Sequence, residues 1–170
     1  SEFDESLLTM TMPYFVSVEA GLVDDTCMRQ WKRTQFEFEE LAEIPDMEEP
    51  TFTFAHILSP HVPYVFDSDG SFLPPEEAAA RSIRDNYINQ LIATNDMVKR
   101  LIDDLMANSE VAPIIILQAD EGPYPDRYDA DVRGFNWDEA TDEEIQQKFE
   151  ILNAYYLPGA NTSVLYPTIT

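Results

Sequence analysis

The polar chemistry of this chain gathers at two short runs, His56-Ile57-Leu58-Ser59-Pro60-His61 and Asp120-Glu121-Gly122. The first run holds both of the chain's 2 histidines. His61 stands in Pro60-His61-Val62-Pro63, where prolines stiffen the loop and hold the side chain in place. An imidazole so held can bind an anionic group, ligate a metal or donate a proton. His56 falls inside an apolar run and is expected to be a core histidine, or one that supports a site from behind. Asp120 and Glu121 are adjacent carboxylates after a hydrophobic run, with Gly122 permitting a sharp exit. Oxygen donors of that kind attract Mg, Mn or Ca, and Zn where an imidazole joins them. The same three residues also suit an ordinary solvated turn, in which Asp and Gly are common.

The remaining candidates are weaker. Asp126, Asp129 and Asp131 lack the spacing of an EF-hand loop, and a solvated loop is the plainer reading of them. No P-loop, dinucleotide-type glycine fingerprint, Gly-x-Ser-x-Gly elbow or His-Glu-x-x-His motif occurs. Cys27 is the lone cysteine, so there is no internal disulfide and no thiolate metal cluster.

Elements are needed to position these groups. Residues 1–25 suggest a short helix followed by extended chain. Residues 26–43 predict a helix that Thr26 can cap, with Met28, Trp31, Phe38 and Leu41 near helical spacing. Pro45 and Pro50 bracket an acidic linker. Residues 51–58 are rich in aromatic and β-branched side chains and read as a buried strand. A long helix is expected over 76–108, with Ile83, Tyr87, Leu91, Val98, Leu101, Ile102 and Leu105 on its apolar face. Residues 114–119 read as a central parallel strand. Asp120 to about Thr141 reads as a long polar loop, then Thr141 and Glu144 open a short helix with a capping box. Residues 151–157 form a third strand.

Strand, helix and strand in that order describe a βαβ unit with a right-handed crossover and parallel strands. Ligands bind beyond the carboxyl ends of such strands. That topology would bring His61 and the Asp120-Glu121 pair to one edge of one sheet, facing a shared crevice.

Composition narrows the partners. Against 33 acidic residues the chain sets 10 basic ones, a formal net charge of −23. Such a field repels nucleic acid and anionic headgroups, which need clustered Lys and Arg. No apolar run approaches a membrane span and no signal-peptide pattern is present. At 170 residues the chain is long enough to bury a core.

Four blocks in order resemble membrane-anchored bacterial sulfatase-like proteins of the alkaline phosphatase superfamily. They are Phe54 to Asp67, Tyr87-Ile88-Asn89-Gln90-Leu91, Ile114 to Gly122, and Ile151 to Gly159, covering roughly residues 50–170. Residues 1–50 form an unassigned lead-in with a helix, and 51–170 the sulfatase-like C-terminal portion. The resemblance implies an α/β fold with a mainly parallel sheet and packed helices. It also implies activity on sulfate or phosphate esters, as in sulfatases, phosphatases, lipoteichoic acid synthases and phosphoethanolamine transferases.

By position in the family's motifs, Asp120 is similar to a metal ligand and His61 to the residue that binds the substrate anion. Glu121 stands where the family has a histidine. It remains a possible ligand but favours harder metals and adds negative charge near an anionic substrate. The cofactor implied is a divalent metal (Mn, Mg, Ca or Zn) in the full-length protein. The family's nucleophile is expected N-terminal to the His-x-Pro run, and no convincing nucleophile motif stands there. Cys27 lacks the Cys-x-Pro-x-Arg pattern that precedes formylglycine. The chain is therefore expected to be a fragment, inactive alone, of a larger protein. The resemblance puts that protein on the extracytoplasmic face of the cell membrane, attached through N-terminal segments missing here. The competing expectation is a non-catalytic acidic binding module that keeps the fold and has lost the chemistry.

Overall fold

The computed structural model describes residues 25–131 and 133–161, in two compact units divided after Glu110. The helix and extended chain expected within residues 1–24 lie outside the described residues.

In the first unit, helix α1 (Thr26–Ala42) is capped by Asp25 rather than Thr26: the Asp25 carboxylate accepts from the Met28 amide at 2.6 Å. Aspartate is a strong N-cap because its oxygen satisfies an otherwise orphaned amide. The helix expected over 76–108 is broken into α2 (Pro75–Ala80) and α3 (Ile83–Asn108). Arg81 is extended at the break, and Ser82 caps α3 by accepting from the Asp85 amide at 3.0 Å.

Between α1 and α2 the chain folds back at 65–73. The Leu73 amide donates to the Val65 carbonyl at 2.9 Å, and Phe66 and Phe72 form an antiparallel bridge. Gly70 takes φ +84°, a left-handed conformation that a side chain disfavours. The core lies here: Val65, Phe66 and Ala93 are buried, with Cys27, Trp31, Phe72 and Met97 packed around them. Trp31 meets both Phe66 and Phe72 at ring distances of 6.3 and 6.0 Å, and its indole N–H donates to the Gly70 carbonyl at 3.1 Å.

Residues 51–58 form no strand, which corrects the sequence reading. Phe52 and Phe54 are 92% and 81% exposed. Strand preference reflects packing against neighbours on a pleated surface, and among the described residues no strand lies alongside this segment. His56 is accordingly exposed and not a core residue.

The apolar face expected on α3 is half-buried except at Ile83, but it is not where the helix is most deeply buried. Its buried residues are Asn86, Gln90, Ala93 and Thr94, whereas Ile83 is 59% exposed. Helix α3 packs against α1 and against a proline-rich loop whose backbone groups need partners, which the Gln90 side chain supplies.

In the second unit β1 (Ile115–Gln118) pairs with β2 (Asn153–Tyr156), confirming two of the expected strands. Their pairing is antiparallel, with Ile115 opposite Tyr156 and Gln118 opposite Asn153. The βαβ unit is thus not formed among the described residues. Beyond β1 the contact continues, with the Ala119 amide bonded to the Leu152 carbonyl and the Gly122 amide to the Lys148 carbonyl at 2.8 Å.

The expected polar loop is partly structured. It contains α4 (Asp126–Ala130) and a 3₁₀ turn at Trp137–Glu139. Tyr124 stacks on Tyr128 at 4.1 Å, and Phe135, Trp137 and Phe149 continue the aromatic cluster. Helix α5 (Asp142–Phe149) opens with the expected capping box between Thr141 and Glu144. Arg127 grips the Glu144 carboxylate through Nε at 2.9 Å and Nη2 at 2.8 Å. That fork, with the Thr141 amide, holds the Glu144 pKa down at about 2.

Candidate functional site

The two groups singled out by the sequence belong to different units, and each is built by its own neighbours. In the first unit the His61 loop contains two cis prolyl bonds, Ser59–Pro60 and Val62–Pro63. Its anchor is Gln90, 1% exposed on α3. The Gln90 amide nitrogen donates to the carbonyls of Pro60, His61 and Pro63 at 3.1, 2.9 and 3.4 Å. Its oxygen accepts from the amides of Val65 and Phe66 at 2.7 and 3.1 Å. One buried side chain therefore satisfies both ends of the loop, so its geometry is set by the helix.

One turn further along α3, the Thr94 hydroxyl donates to the Gln90 carbonyl at 2.7 Å. With that proton committed, the 2.6 Å contact between Ser59 and Thr94 is a bond donated by Ser59. The His61 ring is exposed and its Nδ1 lies 2.8 Å from the Val62 carbonyl. A carbonyl only accepts, so Nδ1 carries a proton there and Nε2 is left for an outside partner. Neutral, Nε2 offers a lone pair; protonated, it donates to an oxyanion.

Asp67, just past this loop, is bound to Arg81 at 2.8 Å, and that hydrogen bond lowers its pKa. Cys27 packs against the core, and burial, with Asp25 nearby, raises its thiol pKa. A thiol shifted upward is not an activated nucleophile. His56 lines an open groove of about 340 Å³ with Glu37, Glu40, Leu41 and Ile57.

In the second unit, Asp120 and Glu121 are exposed just beyond β1. The Asp120 carboxylate accepts from the Glu121 amide at 2.9 Å, an ordinary turn contact. The Glu121 carboxylate has a stronger partner, Lys148, whose ammonium sits 2.7 Å from it. The Lys148 side chain is only 5% exposed. Its Nζ also donates to the Gly122 carbonyl at 3.2 Å and lies 3.3 Å from the centre of the Tyr124 ring. Gly122 is required by contact: a Cβ there would overlap the Gln147 carbonyl oxygen.

Lys148 and Gln90 were not singled out in the sequence as site residues. Lys148 sits in an acid-rich segment where a lysine reads as a solvated charge. Gln90 is part of a recognised block but lies off the apolar stripe. Basic residues are scarce, 10 against 33 acidic ones, but scarcity does not single out Lys148 among them.

The second unit thus sets short helices beside a two-stranded antiparallel sheet, with an acidic pair just past the end of β1. The chain belongs to the Sulfatase family, whose model matches residues 24–152. That span includes His61, Gln90, Asp120, Glu121 and Lys148, and it also takes in α1. The family carries the α/β alkaline-phosphatase-like fold and acts on sulfate esters. Comparison with curated proteins and with solved structures gave no match. Among the described residues no helix is long and apolar enough to cross a membrane.

Members of the family generally use a divalent metal. The donor set found here does not fit one by itself. Among the described residues no group of three or more His, Cys, Asp and Glu side chains is placed to hold a metal. Of the two expected ligands, Glu121 is already neutralised by an internal ammonium.

Proposed function

We propose that this chain is part of a sulfatase-like ester hydrolase or transferase, contributing the residue that receives the substrate's sulfate or phosphate group. That residue is His61. The supporting observation is the Gln90 clamp, which fixes the loop backbone while leaving the His61 ring exposed. Rigid presentation of an exposed imidazole is what recognition of an oxyanion requires, since little ordering remains to be done on binding. Asp120 is the accessible carboxylate of the second unit and the candidate for metal ligation in the whole protein, with a nucleophile supplied from outside the described residues. The whole protein would be membrane-anchored, with this part on the extracytoplasmic face.

A second reading, a binding module that retains the fold without the chemistry, is favoured by one observation, the Glu121–Lys148 ion pair. Titration with inorganic sulfate and phosphate, followed by the ring nitrogen resonances of the two histidines, tests the anion role. His61 Nε2 should shift saturably while His56 does not, and His61→Gln should abolish the response. Equal shifts of both rings, or none, would remove the support for His61 as the anion contact.

A further inference from the structure

Within that reading, the Glu121–Lys148 pair has a consequence of its own. We infer that Lys148 is a resident cation at the strand-end motif: its ammonium takes Glu121 out of metal ligation and stands in place of a divalent ion there. The cradle is assembled from a carboxylate at 2.7 Å, a backbone carbonyl at 3.2 Å and an aromatic face at 3.3 Å. These are the partners a buried ammonium needs, namely an opposite charge, an acceptor and a ring quadrupole. The cradle is also fixed in place. The Gly122 amide is bonded to the Lys148 carbonyl, and Gly122 leaves room for the end of α5 to close against the strand exit.

Charge decides the outcome. A carboxylate paired at 2.7 Å with a nearly buried ammonium has lost most of its attraction for a second cation. A metal approaching Glu121 would have to displace Lys148 or sit beside it, and two cations sharing one carboxylate repel each other. Glu121 in place of the family's histidine and Lys148 beneath it thus form one arrangement: the carboxylate supplies the counter-charge that the lysine requires. Asp120, whose carboxylate makes only the turn contact with the Glu121 amide, is left as the motif's one accessible carboxylate, too few to hold a metal with the described residues alone.

The test is Mn²⁺ titration at 150 mM salt, read by paramagnetic broadening of backbone amide signals in wild type, Lys148→Gln and Lys148→Arg. In wild type and Lys148→Arg the Gly122 amide should broaden no earlier than amides beside the exposed pair Asp103 and Asp104. In Lys148→Gln the Gly122 amide should broaden at about tenfold lower Mn²⁺, the size of effect that a ligand's outer partner exerts. Selective early broadening of Gly122 in wild type would overturn the inference, as would a folded Lys148→Gln protein that behaves like wild type. If Lys148→Gln does not fold, the wild-type comparison between Gly122 and Asp103–Asp104 decides alone. The histidine ring titration is independent of all three proteins' metal response, so failure here and failure of the anion-site reading are separate results.

Discussion

The Gln90 side-chain amide donates to the His61 carbonyl at 2.9 Å, from a residue almost entirely out of water. The bond is one of five from Gln90 to the 60–66 backbone. Removing the side chain leaves buried amides and carbonyls without partners, at roughly 1–3 kcal/mol for each group water cannot reach. Gln90→Ala is expected to lower stability of the first unit by about 3 kcal/mol and to speed hydrogen exchange at Val65 and Phe66. Gln90→Glu keeps an acceptor for those two amides and loses the donor, so it should speed exchange at them less. Urea unfolding followed by Trp31 emission checks the first expectation; a Gln90→Ala midpoint equal to wild type would contradict the clamp.

Core and exposed phenylalanines should separate cleanly. Phe66 is 0% exposed and packs on Trp31, so Phe66→Ala should cost about 3–5 kcal/mol through lost burial and a residual cavity. Phe52 is 92% exposed, and Phe52→Ala should leave stability within about 0.5 kcal/mol of wild type. The same urea experiment applies, and a large loss at Phe52 would mean that its side chain is covered in solution.

Acid titration addresses the Arg127–Glu144 fork. The Glu144 carboxyl has an ordinary pKa of 4.5 and about 2 in the folded chain. A lowered folded value means the contribution is complete above pH 4.5 and is lost as pH falls through about 2. Glu144→Gln should remove that part of the pH dependence and leave the neutral-pH fold in place. The side-chain carboxyl ¹³C shift of Glu144 reads this directly, and a midpoint near 4.5 would show that the fork does not persist in solution.

Gly122→Ala tests the junction beneath the acidic pair. Its Cβ would press into the Gln147 carbonyl oxygen and lie 3.2 Å from that of Lys148. Backbone has little room to retreat, so a loss of about 2 kcal/mol is expected, within the range for overpacking. Hydrogen exchange at Ala119 and Gly122 should rise in the variant, while exchange at Val65 and Phe66 in the other unit stays as it was. Unchanged protection at Gly122 would show that α5 is not seated there.

Local signals carried what the sequence determined. The Thr141–Glu144 capping box, the β1 and β2 segments and the end of the long helix at Asn108 follow from short-range chemistry, and each is present. The family was legible because its blocks keep their order, and the match over 24–152 extends it to α1. Tertiary structure decided the rest, because the same side chains suit more than one partner. Residues 51–58 have strand composition, but a strand exists only where another lies alongside it. An apolar stripe on α3 predicted its buried face, yet the 60–66 backbone needed hydrogen bonds that Gln90 supplies, while Asn86 turns to the Ala78 carbonyl and Thr94 to Ser59. Glu121 reads as a ligand from its neighbours in sequence. Its actual counter-ion, Lys148, stands 27 positions later and reaches it only because α5 closes over Gly122.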